Sequence, residues 1–201
     1  TFSSDSVLFS EGFDNNINEW ITNNNWIKGK VVNGNYNVIS RNYRNQTGLT
    51  FKPIPYDLNR DVEIGTSFRI KKGIAALIFG LSDDFDHYRI ELTDKNSKVE
   101  ILRDNTKTKK VEILYSGSLK SPVTFNEPIN ILIRKKGRDY TFFINEQEVF
   151  KTSQIDPQGI NLGFSVGLNS EIAADFLKVQ YTDYNPLSAV AVRNIQNESK
   201  N

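Results

Sequence analysis

The sequence predicts an all-β protein, a two-sheet antiparallel β-sandwich. Three observations predict it. Apolar residues recur at every second position in most segments, which lines one face of a pleated strand. Turn signals separate about a dozen such segments at regular spacing. No stretch of about a dozen residues before Pro186 has helical periodicity. The clearest case is Ile129 to Phe150. There Ile129, Ile131 and Ile133 alternate with Asn130, Leu132 and Arg134, and Tyr140, Phe142 and Ile144 alternate with Thr141, Phe143 and Asn145. Gly137 supplies the positive φ of the first turn, and Asn145-Glu146 makes the second.

The remaining elements run in order along the chain. Val7 to Phe13 reads as a first strand, closed by the Asp14-Asn15-Asn16 turn. Lys30 to Ile39 is a hairpin about Asn33-Gly34, a type I′ pair. Leu49 to Phe51 is short, and Pro53-Ile54-Pro55 must break the sheet or sit at its edge. Val62 to Ile70 alternates. Ile74 to Leu81 is apolar at nearly every position, as a central strand covered on both sides would be. His87 to Leu92, Val99 to Arg103 and Val111 to Tyr115 are strands, with Lys95-Asn96-Ser97 turning between the first two. Leu162 to Leu168 and Ile172 to Tyr181 complete the sandwich, placed at residues 1–184. Residues 185–201 read as a C-terminal tail, with a short helix over Leu187 to Ile195 or a linker to another domain.

Composition excludes several classes. The chain has 25 Lys plus Arg against 24 Asp plus Glu, a net charge of +1 that gives no field to attract nucleic acid. No run of eighteen apolar residues spans a bilayer as a helix. Absence of cysteine removes disulfides, thiolate metal sites and cysteine nucleophiles. There is no methionine, so Thr1 reads as a processed end, and an exported bacterial protein, periplasmic, surface-attached or secreted, is expected.

Three pieces then carry a resemblance. They are Leu8-Phe9-Ser10-Glu11-Gly12-Phe13-Asp14 with Trp20, Asp86-His87-Tyr88-Arg89-Ile90-Glu91-Leu92, and Ile131 to Val149 closed by Ala174 to Val179. In that order they resemble the concanavalin A-like, laminin-G-like jelly roll of bacterial type. Asn145-Glu146 departs from the usual Asn-Gly, and Ala174 stands where Phe is common. The resemblance implies two curved sheets and a concave face that often holds carbohydrate. Relatives include lectin-like modules, laminarinase-type glycosidases and 3-keto-disaccharide hydrolases, and fold alone does not choose among them.

The family's glycosidases carry Glu-x-Asp-x-Glu or Glu-x-Asp-x-x-Glu on one strand, which places two carboxyls about 5 Å apart. That spacing is missing here, so no catalytic residue is assigned and catalysis is disfavoured. His87 is the only histidine and reads as an exposed strand residue. Asp83, Asp84 and Asp86 form an oxygen-rich loop, the candidate for calcium, with ordinary turn chemistry as the alternative. No other cofactor is expected. With the apolar rows inside, the opposite rows give Glu63, Ser67 and Arg69, then His87, Arg89 and Glu91, then Asn130 and Arg134, and finally Ser165 among small residues. Taken as one concave face, these would bond sugar hydroxyls, with Trp26, Tyr36 or Tyr43 stacking on a ring. The alternative is a solvated face of cross-strand ion pairs such as Arg89 with Glu63. The expected function is therefore a non-catalytic carbohydrate-binding module. The alternatives are a 3-keto-disaccharide-type hydrolase and a structural or protein-interaction sandwich within a larger polypeptide.

Overall fold

A computed structural model of the chain describes residues 7–93 and 98–182. The expected turn at Lys95-Asn96-Ser97 and the tail lie outside the described residues. Among the described residues, fourteen strands form two antiparallel sheets. The first sheet contains β1 (Val7–Glu11), β2 (Ile27–Val32), β3 (Asn35–Ser40), β5 (Val62–Lys72), β10 (Ile129–Lys136), β11 (Asp139–Ile144), β12 (Gln147–Thr152) and β14 (Glu171–Tyr181). The second contains β4 (Gly48–Pro53), β6 (Ile74–Leu81), β7 (His87–Thr93), β8 (Lys98–Asn105), β9 (Lys110–Ser118) and β13 (Asn161–Val166). The order is β12-β11-β10-β5-β14-β3-β2 in the first, with β1 beside β14, and β4-β13-β6-β7-β8-β9 in the second.

Local chemistry accounts for the strand ends. Asn33 and Gly34 both have positive φ, as a type I′ hairpin needs, and so do Asn145 and Glu146 without any glycine. Pro53 ends β4, an edge strand, where its missing N–H costs no ladder bond. The first strand ends at Glu11, whose side chain turns inward and ties down the adjoining loop. It accepts from the Phe13 amide at 2.7 Å, the Asn18 side chain at 2.6 Å and Trp20 Nε1 at 3.0 Å. Phe13 and Trp20 are thereby seated in the core.

The inward rows match the alternation. Ile64, Phe68, Ile131, Ile133, Phe142 and Leu177 come from the first sheet, and Leu77, Phe79, Ile90, Leu162 and Phe164 from the second. Tyr36 joins the two sheets. Its hydroxyl lies 2.9 Å from Thr50 Oγ1 on β4 and donates to the Ile21 carbonyl, and burial pushes its pKa up to about 12. The central strand β6 is buried on both faces, as expected from its apolar run.

Strand β13 approaches β4 so closely that a side chain at Gly163 has no room. A Cβ there would lie 2.0 Å from the Thr50 carbonyl oxygen and 2.6 Å from Phe51 Cα. Both obstacles are backbone, so the strand pair itself must move. Gly163→Ala should cost at least about 2 kcal/mol, an overpacking effect. Its chemical-denaturation midpoint should fall with an unchanged slope, and an unshifted midpoint would contradict this packing.

Candidate functional site

Strand order separates the residues expected on one face. β5 and β10 lie in the first sheet, while β7 and β13 lie in the second. Glu63, Ser67, Arg69, Asn130 and Arg134 therefore project from one side of the sandwich, and His87, Arg89, Glu91 and Ser165 from the other. The single continuous face does not exist. Its rows alternate as expected, but strand pairing is a long-range choice that row periodicity does not encode.

On the first sheet the polar side chains satisfy one another. Arg134 Nε donates to Glu63 Oε1 at 2.7 Å, and Gln180 Nε2 donates to Glu63 Oε2 at 2.9 Å. Arg69 pairs with Asp175 and also reaches Asn35, and Ser67 Oγ donates to Asp175 at 3.3 Å. Glu63 thus pairs with Arg134, not with Arg89. The Asn130 amide donates to the Asn145 side chain, fixing the end of β10. Between the polar groups runs an apolar trough over Gly65, Leu132, Phe143 and Phe176.

The second sheet builds a different surface, set by register. One rung across its outer face reads Leu49, Ser165, Ala76, Glu91, Glu100 and Ser116. The next reads Phe51, Gly163, Ile78, Arg89, Leu102 and Ile113. A third pairs His87 with Asp104 and Asp104 with Val111. Ala76, Ile78 and Leu102 are buried although they point away from the core cluster. Longer side chains around them therefore cover the middle of this face.

The charged row is linked across strands. Arg89 Nε lies 3.1 Å from Glu91 Oε2, and Arg89 also pairs with Asp104. His87 Nε2 is 3.5 Å from the same Asp104 oxygen, and Nδ1 faces the Phe85 carbonyl at 2.9 Å, so Nδ1 carries the hydrogen. His87 is 8% exposed, not an exposed strand residue, with the Phe85 turn and Asp104 of β8 against its ring. Its Nε2 and the Arg89 Nε are buried without a hydrogen-bond partner among the described residues, so the contact of Arg89 Nε with Glu91 is ionic and not an aligned hydrogen bond. The Arg89 and Glu91 side chains keep 19% and 20% exposure.

Two glutamates face each other on β7 and β8. Burial pushes the Glu91 carboxyl above the ordinary glutamate range, against the pull of Arg89, and Glu100 and Asp104 push the same way. Glu100 is held below that range, first by its hydrogen bond from Lys98.

Among the described residues, none of the aromatics expected to stack on a ligand lines a cavity on this face. Tyr36 is fully buried in the core and cannot stack on a ligand. Trp26 and Tyr43 meet edge to face, with centroids 5.9 Å apart, beside the start of β4. At the His87 end, Phe85 is 49% exposed and meets Phe51 edge to face at 6.2 Å. A recess of about 290 Å³ lies there, between Leu49, Phe85, His87, Asp104 and Val111. Phe85 has φ 65°, a left-handed conformation unusual for a bulky residue. The sequence does carry a signal for Phe85, an aromatic inside an acidic turn. Phe51, Glu100 and Asp104 have no local signal, since only register brings them beside β7.

The acidic loop does not converge. Asp84 pairs with Lys107 at 2.7 Å, and Asp86 accepts from the Thr106 amide at 2.7 Å. Among the described residues no three acidic or histidine side chains group closely enough to hold a metal.

This architecture is a two-sheet antiparallel jelly roll, and the chain is similar in fold to several solved structures. A β-glucanase from Bacillus licheniformis superposes with a TM-score of 0.62 at 12% identity, covering 90% of this chain and 100% of that one. A Bacillus subtilis protein of unknown function with a galectin-like fold gives 0.63 at 11% identity, covering 87% and 96%. Carbohydrate-binding module CBM66 from Bacillus subtilis gives 0.53 at 14% identity, covering 80% and 94%. Likeness at such identity is one of fold alone. No family profile and no curated protein matches the sequence.

The opposed shifts of Glu91 and Glu100 can be measured. Carboxyl NMR titration should show Glu91 releasing its proton at higher pH than Glu100. For Glu91 the folded value exceeds the unfolded one. Its contribution to stability is then present at low pH and is lost as pH rises through the folded value. Glu91→Gln should remove that part of the loss from the melting-temperature profile, and superimposable pH profiles would contradict the burial-driven shift.

Proposed function

We propose that this chain is a non-catalytic carbohydrate-binding module whose ligand lies on the outer face of the six-stranded sheet, over β13, β6, β7 and β8. The observation that supports it most is the recess at the His87 end of this face, about 290 Å³ between Leu49, Phe85, His87, Asp104 and Val111. Beside it stand the partly exposed charged groups of Arg89, Glu91 and Asp104. Sugar hydroxyls both donate and accept, so they suit a row of alternating guanidinium and carboxylate. The mutual ion pairs hold the row in place before a ligand arrives, which lowers the ordering cost of binding. Phe85 offers an exposed ring for the apolar face of a pyranose. The fold's solved relatives include a module named for carbohydrate binding, which agrees with this reading.

A second reading is favoured by one observation. Glu91 and Glu100 are directly opposed, with pKa values pushed in opposite directions. Such a split is how an acid and a base are assigned in paired-carboxylate hydrolysis. Each glutamate is also committed to a cation, Glu91 to Arg89 and Glu100 to Lys98. That commitment is why binding is preferred to hydrolysis.

A glycan array followed by titration calorimetry tests the first reading. Wild type should bind at least one oligosaccharide without turning it over. Phe85→Ala should weaken that binding roughly threefold to tenfold, the worth of one stacking contact. Binding to no glycan removes the proposal. Release of reducing sugar, lost in both Glu91→Gln and Glu100→Gln, would establish the hydrolase instead.

A further inference from the structure

A second, separate cavity lies at one end of the sandwich. It has a volume of about 1030 Å³ and opens between the loop after Tyr56, the β10–β11 turn and the segment around Asp156. Its lining includes Lys135, Tyr140, Arg138, Asn59 and Gln158. Lys135 is the unexpected member. It occupies an inward position of β10, opposite Val62 on one side and Tyr140 on the other, where the neighbouring inward residues Ile131 and Ile133 are apolar. It is 5% exposed, and it forms no ion pair among the described residues. Its single hydrogen bond is to the Arg60 carbonyl oxygen at 2.9 Å.

A buried ammonium has three donors and a full charge, and one neutral carbonyl compensates neither fully. The usual solution is a carboxylate, and none is supplied among the described residues. Tyr140 stands beside it at 4% exposure, with a hydroxyl that has no hydrogen-bond partner among the described residues. Burial, first, and then Tyr88 and Asp156 push the Tyr140 pKa up, so its hydroxyl remains a donor. Arg138 adds a second cation at the mouth. One acidic residue, Asp156, also lines the cavity; its Oδ2 accepts from the neutral Gln158 Nε2 at 3.0 Å and it forms no ion pair with Lys135. The walls are fixed: the turn is held by the Gly137 amide donating to Asp61 at 2.7 Å, and the far side by the Asp156 amide donating to the Tyr88 hydroxyl at 3.1 Å.

We infer that this cavity is a binding site for a small carboxylate-bearing ligand, with Lys135 and the Tyr140 hydroxyl taking the carboxylate and Arg138 guarding the entrance. The site is independent of the sugar-binding proposal, being formed by different elements. A uronic acid and a simple organic acid present the same group, so the shared chemistry is the carboxylate.

Titration calorimetry at low ionic strength, with glucuronate, acetate, glucose and inorganic phosphate as probes, tests it. Wild-type protein should bind glucuronate, and Lys135→Met should weaken that binding at least tenfold. Arg138→Ala and Tyr140→Phe should each weaken it threefold or more, and they carry the test if Lys135→Met fails to fold. Acetate binding as tightly as glucuronate would show that the carboxylate alone is read, and tighter glucuronate binding that the sugar adds contacts. Both outcomes support the site. Binding of phosphate but neither carboxylate, binding of glucose equal to glucuronate, or glucuronate affinity unchanged in all three variants would overturn it.

Discussion

The packing of aromatic rings between the two sheets is the interaction on which this structure depends. Phe164 on β13 meets Phe68 on β5 at 6.1 Å, and on its other sides meets Trp20 and Phe13 at 5.9 and 6.5 Å. Tyr36 stacks on Phe13 at 5.5 Å and extends its hydroxyl to Thr50 on the opposing sheet. A second group, Phe79, Tyr88, Phe142 and Phe150, repeats the arrangement toward the β12 edge. Burying these rings commits one row of each strand to the interior, and period two then commits the other row to the outside. The outer surfaces are therefore consequences of the core.

The two outer faces use that constraint differently. On the first sheet, Glu63 and Asp175 each satisfy two partners, and the space between them is apolar. On the second sheet a more charged row covers buried Ala76, Ile78 and Leu102, and a recess opens at the His87 end. Partial burial there moves Glu91 away from its ordinary behaviour while Glu100, tied to Lys98, moves the other way. Perturbed carboxyls are a common mark of functional surfaces. Lys135 shows a third use of the same rule. A cation at an inward position is costly in a packed core, and this one stands at the strand end where a cavity replaces the opposing layer.

Much of the fold is legible in the chain. Ile129 to Ile144 announces a hairpin through alternation and Gly137, and Asn33-Gly34 announces another, because both signals act over a few residues. Pro53 marks an edge for the same local reason. The candidate site is legible only by halves. Arg89 and Glu91 read correctly as an outer row. His87 reads as exposed and is not, since its covering comes from the segments around Phe85 and Asp104. Tyr36 reads as a surface ring and is buried. It sits in an inward row, but nothing within β3 shows that Thr50 waits opposite it.

The sequence by itself determined most strands, their turns and which row of most strands faced the core, because pleat periodicity and turn chemistry are properties of adjacent residues; β9 is the exception, its Val111 and Ile113 standing outside. Only the tertiary structure decided which strands became neighbours. It divided Glu63, Ser67, Arg69, Asn130 and Arg134 from His87, Arg89, Glu91 and Ser165, and it set Glu100 against Glu91 and placed Lys135 at a cavity with no carboxylate among the described residues to meet it. Strand order is settled by burying the rings of both sheets together across long stretches of chain, and no local pattern records that choice.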